Sequence, residues 1–477
     1  MKKYFIIYFL LIAFFLGLIY IVLDKGNNLI PQSKSLRFTI KTADNSFPNK
    51  NFSGINPNES QYLINSKSPL ALFLLQIIII LIISRFFGIL LMKIGQPSVV
   101  GEIIAGIVLG PSFLGYLFPG VSAFIFPPES LINLTFLSQI GLIFFMFIIG
   151  MELDLEKLKH KTQNAIAISH ASIVVPFFFG VLVSYFLYEK YAPSTVNFLA
   201  FALFMGIAMS ITAFPVLARI VKERGLSCTA LGVMVITCAA ADDVTAWCIL
   251  AFVIAVVKSG GINSAIFTIV LALIYIFSML KIVKPWLNKI FIKKIKNHKL
   301  NITVMSISFF LLLLSAYTSE LIGIHALFGA FLAGVIIPRS LKVEELLTEK
   351  LQDISVILLL PIFFALTGLR THLGLLNEGN SWYTLGLIIT VAVLGKFGAS
   401  ALTARIIGYS TKDALSIGAF MNTRGLMELI VLNIGYDLGI LSPTIFAIMV
   451  LMALITTFMT GPLLDLFNYL QKVKILK

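Results

Sequence analysis

The chain has 477 residues, of which 58% are hydrophobic and only 12% charged, and it carries a net charge of +14. Soluble domains carry roughly 25% charged residues, so this composition, with a mean hydropathy of +0.98, excludes a soluble fold and makes lipid the solvent. The basic excess then reads as the bias that orients cytoplasmic loops, not as a nucleic-acid surface.

Apolar runs long enough to cross a hydrocarbon layer of roughly 30 Å fall at about 4–23, 70–86, 98–112, 131–150, 164–187, 197–218, 230–257, 262–286, 300–319, 324–338, 354–370, 383–405, 414–436 and 444–468. The first follows Met1-Lys2-Lys3, lacks a small-x-small cleavage site and is expected to be an uncleaved anchor. Residues 24–69, polar and without periodicity, read as a loop, and its sequons at Asn51 and Asn58 matter only in a glycosylating host. With the N-terminus inside, cytoplasmic loops collect 25 basic residues, seven of them between Lys281 and Lys299, against nine outside. Both termini are therefore expected in the cytoplasm, with 471–477 a short tail.

Two stretches 228 residues apart are alike, GEIIAGIVLGPS at 101–112 and GAFLAGVIIPRS at 329–340. The spans after them match loosely, LIFFMFIIG at 142–150 against LPIFFALTG at 360–368. On the topology above the copies run in opposite directions, which predicts inverted repeats over about 98–257 and 324–468, an arrangement that places a substrate site near the midplane. It also predicts paired helix breaks, at Thr212, Ala213, Phe214 and Pro215 in one copy and at Asn422, Thr423, Arg424 and Gly425 in the other. Proline removes a helix hydrogen bond, and unwound backbone at membrane depth is tolerated only inside protein or along a polar cavity.

Charge inside a bilayer costs about 2.5–3.5 kcal/mol per residue on insertion scales and marks a partner or a pathway. Asp242 and Asp243 sit near the middle of the span 230–257, Lys396 near the middle of 383–405, and Arg424 with Glu428 in 414–436. Adjacent helical residues project about 100° apart, so one carboxylate can pair with Lys396 while the other faces a cavity. The Asp242–Lys396 pair either fixes helix register or belongs to the ion chemistry. Arg424 and Glu428 either satisfy each other or neutralise the helix ends at the break. A carboxylate that holds a proton or a small cation, but not both, has the minimal chemistry of antiport. Glu102, His170 and His325 read as structural, and Cys228, Cys238 and Cys248 as small apolar fillers. The sequence contains no recognisable nucleophile, phosphate loop or zinc motif, so neither an enzyme nor a cofactor is expected.

Five stretches in order, QPSVVGEIIAGIVLGPS (96–112), TAFPV (212–216), ADD (241–243), LFGAFLAG (327–334) and NTRGLMEL (422–429), resemble the second branch of the monovalent cation:proton antiporter superfamily over about residues 70–470. The resemblance implies an all-α, thirteen-helix inverted-repeat core with a homodimer panel, to which the first span is an N-terminal addition. It implies Asp243 as the cation and proton carboxylate, Asp242 as its lysine-paired neighbour, and exchange of Na⁺ or K⁺ for protons in the inner membrane. The double aspartate resembles the electrogenic type. The chain stops shortly after its last span, so no cytosolic regulatory domain is expected. A non-transporting pH or ion sensor on the same fold is the alternative.

Overall fold

The computed structural model describes residues 2–26, 29, 68–152, 163–226, 229–258, 262–294, 302–338, 343–377 and 379–472. The readings made for Asn51, Asn58, Cys228 and most of the 24–69 loop fall outside these residues.

Among the described residues every regular element is a helix, as a chain dissolved in lipid requires, because each helix satisfies its backbone internally. Twelve are long and apolar enough to cross a membrane, which makes this a multi-pass membrane protein. The two remaining predicted spans behave differently. Lys2–Gly26 is a 25-residue helix that is not among the twelve. The run at 324–338 gives the ten-residue helix Ala326–Val335, about 15 Å long at 1.5 Å per residue, with non-helical residues on either side. His325, at a φ of 80°, turns the chain sharply before it, and the hydrophobicity of this run reflects burial in protein.

Close helix contacts fall largely into two groups. The first bundle comprises Gln163–Tyr191, the broken span Phe198–Ser210 and Phe214–Glu223, Ala230–Lys258, Ser381–Val393 continuing into Ala399–Ile407, the broken span Thr411–Met421 and Leu426–Asp437, and Pro443–Lys472. The second comprises Pro69–Lys93, Ser98–Leu109, Leu131–Glu152, Ile302–Ile322, Ala326–Val335, and Val343–Ile354 running on into Leu360–Leu369.

The second bundle is held by glycine-to-backbone contacts. A Cβ on Gly106 would lie 2.2 Å from Ala365 O and one on Gly368 2.5 Å from Ile103 O, while Gly150 and Gly334 stand in the same relation to Phe331 O, 2.1 Å, and Phe147 O, 2.2 Å. Thus Ser98–Leu109 packs on Leu360–Leu369, and Ala326–Val335 on Leu131–Glu152. Small residues let backbones approach where lipid supplies no hydrophobic drive between helices. Gly150→Ala is expected to destabilise the fold by about 1–3 kcal/mol through overpacking, read as an earlier melting transition in detergent. Gly386→Ala, where the new methyl meets nothing within 4 Å, should leave the transition in place.

Candidate functional site

Both broken spans interrupt their helices near the middle. The first helix stops at Ser210, the segment 211–213 is non-helical, and the second half begins at Phe214. Pro215 is therefore not the point of rupture: it sits in the first turn of the second half, where its missing N–H costs nothing. Thr212 and Ala213 lie in the break itself, and Phe214 is already helical. The second span breaks at Asn422, Thr423, Arg424 and Gly425 and restarts at Leu426. Gly425 has a φ of 139°, a conformation that side chains with a Cβ avoid. The breaks meet directly, with Ala213 N donating to Thr423 O at 3.1 Å.

Asp242 is fully buried and fully engaged. Its Oδ1 accepts from Ser169 Oγ at 2.5 Å, and its Oδ2 accepts from Ser172 Oγ and Thr212 Oγ1, both at 2.6 Å. Lys396 Nζ lies 3.6 Å from the same Oδ2 and donates to Ser172 O and Ser210 O. Lys396 is carried on a π-turn, Leu394–Gly398, a distortion that recurs at functional sites.

Arg424 donates through Nη1 to Ala208 O at 3.1 Å and through Nη2 to Met209 O at 2.7 Å. With Lys396 on Ser210 O, two buried cations cover three consecutive carbonyls at the C-terminal end of Phe198–Ser210, where the helix dipole is negative. Arg424 Nη1 also stands 3.2 Å from Glu428 Oε1, an ion pair outside hydrogen-bond alignment, since neither Glu428 oxygen has a hydrogen-bond partner. Both sequence readings of Arg424, pairing with Glu428 and neutralising a helix end, describe its contacts.

Asp243 differs from its neighbour. It is 3% exposed, and neither carboxylate oxygen makes a hydrogen bond, although the backbone N–H of Phe214 lies beside it. Asn422, buried in the other break, likewise has no partner for either side-chain polar atom. Three buried acids and two buried bases thus surround the crossing, and after Asp242–Lys396 and Arg424–Glu428 are paired one negative charge is left over, on Asp243.

The remaining candidates serve the frame. Glu102 bonds to Ser98 and lies near Arg85 and Arg219. His170 Nδ1 contacts Ile166 O in its own helix at 2.8 Å, and the His325 ring accepts from Leu327 N at 3.4 Å as a helix cap. Cys238 and Cys248 are unbridged. Among the described residues no group of three His, Cys, Asp or Glu is placed to hold a metal ion. Sequence reasoning missed Ser169 and Ser172, whose signal is their i, i+3 spacing on one face of an otherwise apolar span.

Two crossed, broken helices with buried opposite charges are the architecture of a secondary active transporter. Residues 77–467 match the family model described as sodium/hydrogen exchanger, transmembrane, and the chain belongs to that family, one of transporters and not of enzymes. It is 43% identical over 395 residues to the Na⁺/H⁺ antiporter NhaS4 of Synechocystis, covering 83% of this chain and 96% of that protein. It is 36% identical over 430 residues to the K⁺/H⁺ antiporter 1 of Saccharomyces cerevisiae, covering 87% of this chain. The chain spans only 48% of that yeast protein and 49% of the similar Cation/H⁺ antiporter 17 of Arabidopsis thaliana. Its fold is similar to that of the sodium proton antiporter MjNhaP1 of Methanocaldococcus jannaschii, with a TM-score of 0.61 at 15% identity over 83% of this chain and 96% of that one.

Proposed function

We propose that the chain exchanges Na⁺ or K⁺ for protons by alternating access, with Asp243 as the group that carries each in turn. The observation that carries this reading is the buried Asp243 carboxylate, with no side-chain partner, beside two buried ion pairs. An uncompensated charge in a low-dielectric site costs several kcal/mol, and either one proton or one monovalent cation removes that cost. The two occupants exclude each other because together they would leave a net positive charge, and that exclusion couples their movements. Asp242 and Lys396 hold the neighbouring charge fixed, while Arg424 and Lys396 cap the helix end left open by the break. The names of the relatives support the same exchange.

The finer organisation is proposed on the same footing. Residues 70–470 form the antiporter domain, with 1–69 an anchor and loop, and the matched contacts of Gly106 with Gly368's helix and of Gly334 with Gly150's helix support inverted repeats. Lys2–Gly26 is an addition to a thirteen-helix core: the family match starts only at residue 77, and Phe15 packs at a tilt against Phe178 with ring centroids 5.3 Å apart. Loop charge supports cytoplasmic termini, and the family resemblance supports an inner-membrane homodimer; its double aspartate supports electrogenic exchange, for which a second proton must travel on the Asp242–Lys396 pair beside the one on Asp243.

In proteoliposomes holding a pH dye, adding Na⁺ or K⁺ should move protons, and a potassium ionophore, with K⁺ balanced across the membrane, should speed the Na⁺ response if net charge moves. Absence of proton movement with Na⁺, K⁺ and Li⁺ alike would sink the reading.

A further inference from the structure

Between the two bundles lies a cavity of about 330 Å³, lined by Gln139, Glu320, His325, Arg370, Asn433 and Asp437 among others. Its polar rim is built around Arg370, the residue that follows Leu360–Leu369 in the second bundle. Arg370 Nη1 lies 2.9 Å from Asp437 Oδ1 and donates to Asn433 Oδ1, also at 2.9 Å. Its Nη2 reaches Thr135 Oγ1 at 3.3 Å within its own bundle, and Tyr436 lies under the guanidinium, 5.7 Å from ring centroid to Cζ. Asn433 returns the link, donating from Nδ2 to Thr367 Oγ1 at 2.8 Å. The other acid on the rim, Glu320, is engaged by Lys258 at 3.5 Å and by Ala326 N at 2.8 Å.

Asn433 and Asp437 are one turn apart on one face of Leu426–Asp437, and that helix starts at the break beside the buried charges. Any displacement of the break relative to the second bundle must pass through it. On the opposite side of the crossing, a crevice touching Val100, Ile103, Val216, Gly425, Leu429 and Thr457 is apolar and closed to all but water-sized space. The clasp is therefore made in a form with a wide polar cavity beside it and a closed crevice at the break.

We propose that Arg370 is a positioning residue, which through Asp437 and Asn433 clasps the second broken helix to the second bundle and favours the form in which the polar cavity is wide and the crevice beside the break is closed. It touches no ion. The inference rests on the alternating-access reading above, and it adds a named contact that must part when access changes sides. Charge-assisted hydrogen bonds of this kind support a shift of about tenfold between two forms.

The test uses the full chain with its three cysteines replaced, in lipid nanodiscs where a water-soluble maleimide reaches both faces. Reporter cysteines are placed at Gln139, in the cavity, and at Thr457, in the crevice. Arg370→Gln is expected to slow labelling at Gln139→Cys and to speed it at Thr457→Cys by about tenfold. Asp437→Asn should act in the same sense, and the exchanged pair Arg370→Asp with Asp437→Arg should recover much of the original pattern. Unchanged labelling at both positions overturns the proposal, as does faster labelling at both, which would mark a mere structural brace. Labelling needs no transport. Opposite shifts without any exchange in liposomes would remove the transport reading alone, and normal exchange with unmoved labelling would remove the clasp alone.

Discussion

Asp243→Asn is expected to reduce cation-driven proton movement in proteoliposomes to the level of protein-free vesicles. The substitution keeps the shape of the side chain but removes the single negative charge that the surrounding bases leave unmatched. Nothing else at the crossing can take its place: Asp242 is held by Ser169, Ser172, Thr212 and Lys396, and Glu428 stands against Arg424. Because no side chain bonds to Asp243 and asparagine keeps an acceptor oxygen for the Phe214 N–H beside it, the variant should fold and melt close to the parent. Inactivity with retained stability is the signature of a carrier group. Parent-like exchange by Asp243→Asn would show that the ion rides elsewhere. Asp243→Glu, which keeps the charge but moves it outward by one methylene, should retain part of the activity with a changed preference among Na⁺, K⁺ and Li⁺.

Arg424→Gln is expected to give the largest loss of stability among substitutions at the crossing, about 3–5 kcal/mol, the usual cost of stripping one partner from a buried ion pair. The guanidinium donates to two carbonyls, Ala208 O and Met209 O, and pairs with the Glu428 carboxylate. Without it, two helix-end carbonyls and one carboxylate remain buried with no cation to compensate them. Adding Glu428→Gln to Arg424→Gln should recover part of the loss, since the stranded charge goes with it, and a double-mutant cycle in detergent melts would measure the coupling. A single variant as stable as the parent, or a cycle with no coupling, would mean that the pair is not a structural unit.

The sequence carried much of this site because lipid makes charge conspicuous. Asp242, Asp243, Lys396, Arg424 and Glu428 stood out as ionised groups in apolar runs, and helical spacing alone separated the two aspartates onto different faces. Other parts were illegible for physical reasons. Lys396 and Arg424 are satisfied largely by the backbone carbonyls of Ser172, Ser210, Ala208 and Met209, and a carbonyl has no residue signature. Pro215 drew the expected break towards itself, whereas proline is compatible with a helix start and the chain had already parted at Ser210. The run at 324–338 was read as a full-length helix, whereas the helix covers only Ala326–Val335, because hydropathy does not mark where a helix ends. The Arg370 clasp joins residues far apart in the chain that only the packed bundles bring together.

The interlocked glycine contacts of the second bundle also bear on how the chain is made. Ser98–Leu109 packs its motif glycine against Leu360–Leu369, and Ser112 bonds to Thr371 across 259 residues of sequence. At roughly 5–20 residues per second of synthesis, the early helix waits about 10–50 s in the bilayer with its backbone-contacting face unfilled. The packing of the first half is therefore completed only once the second half has been made.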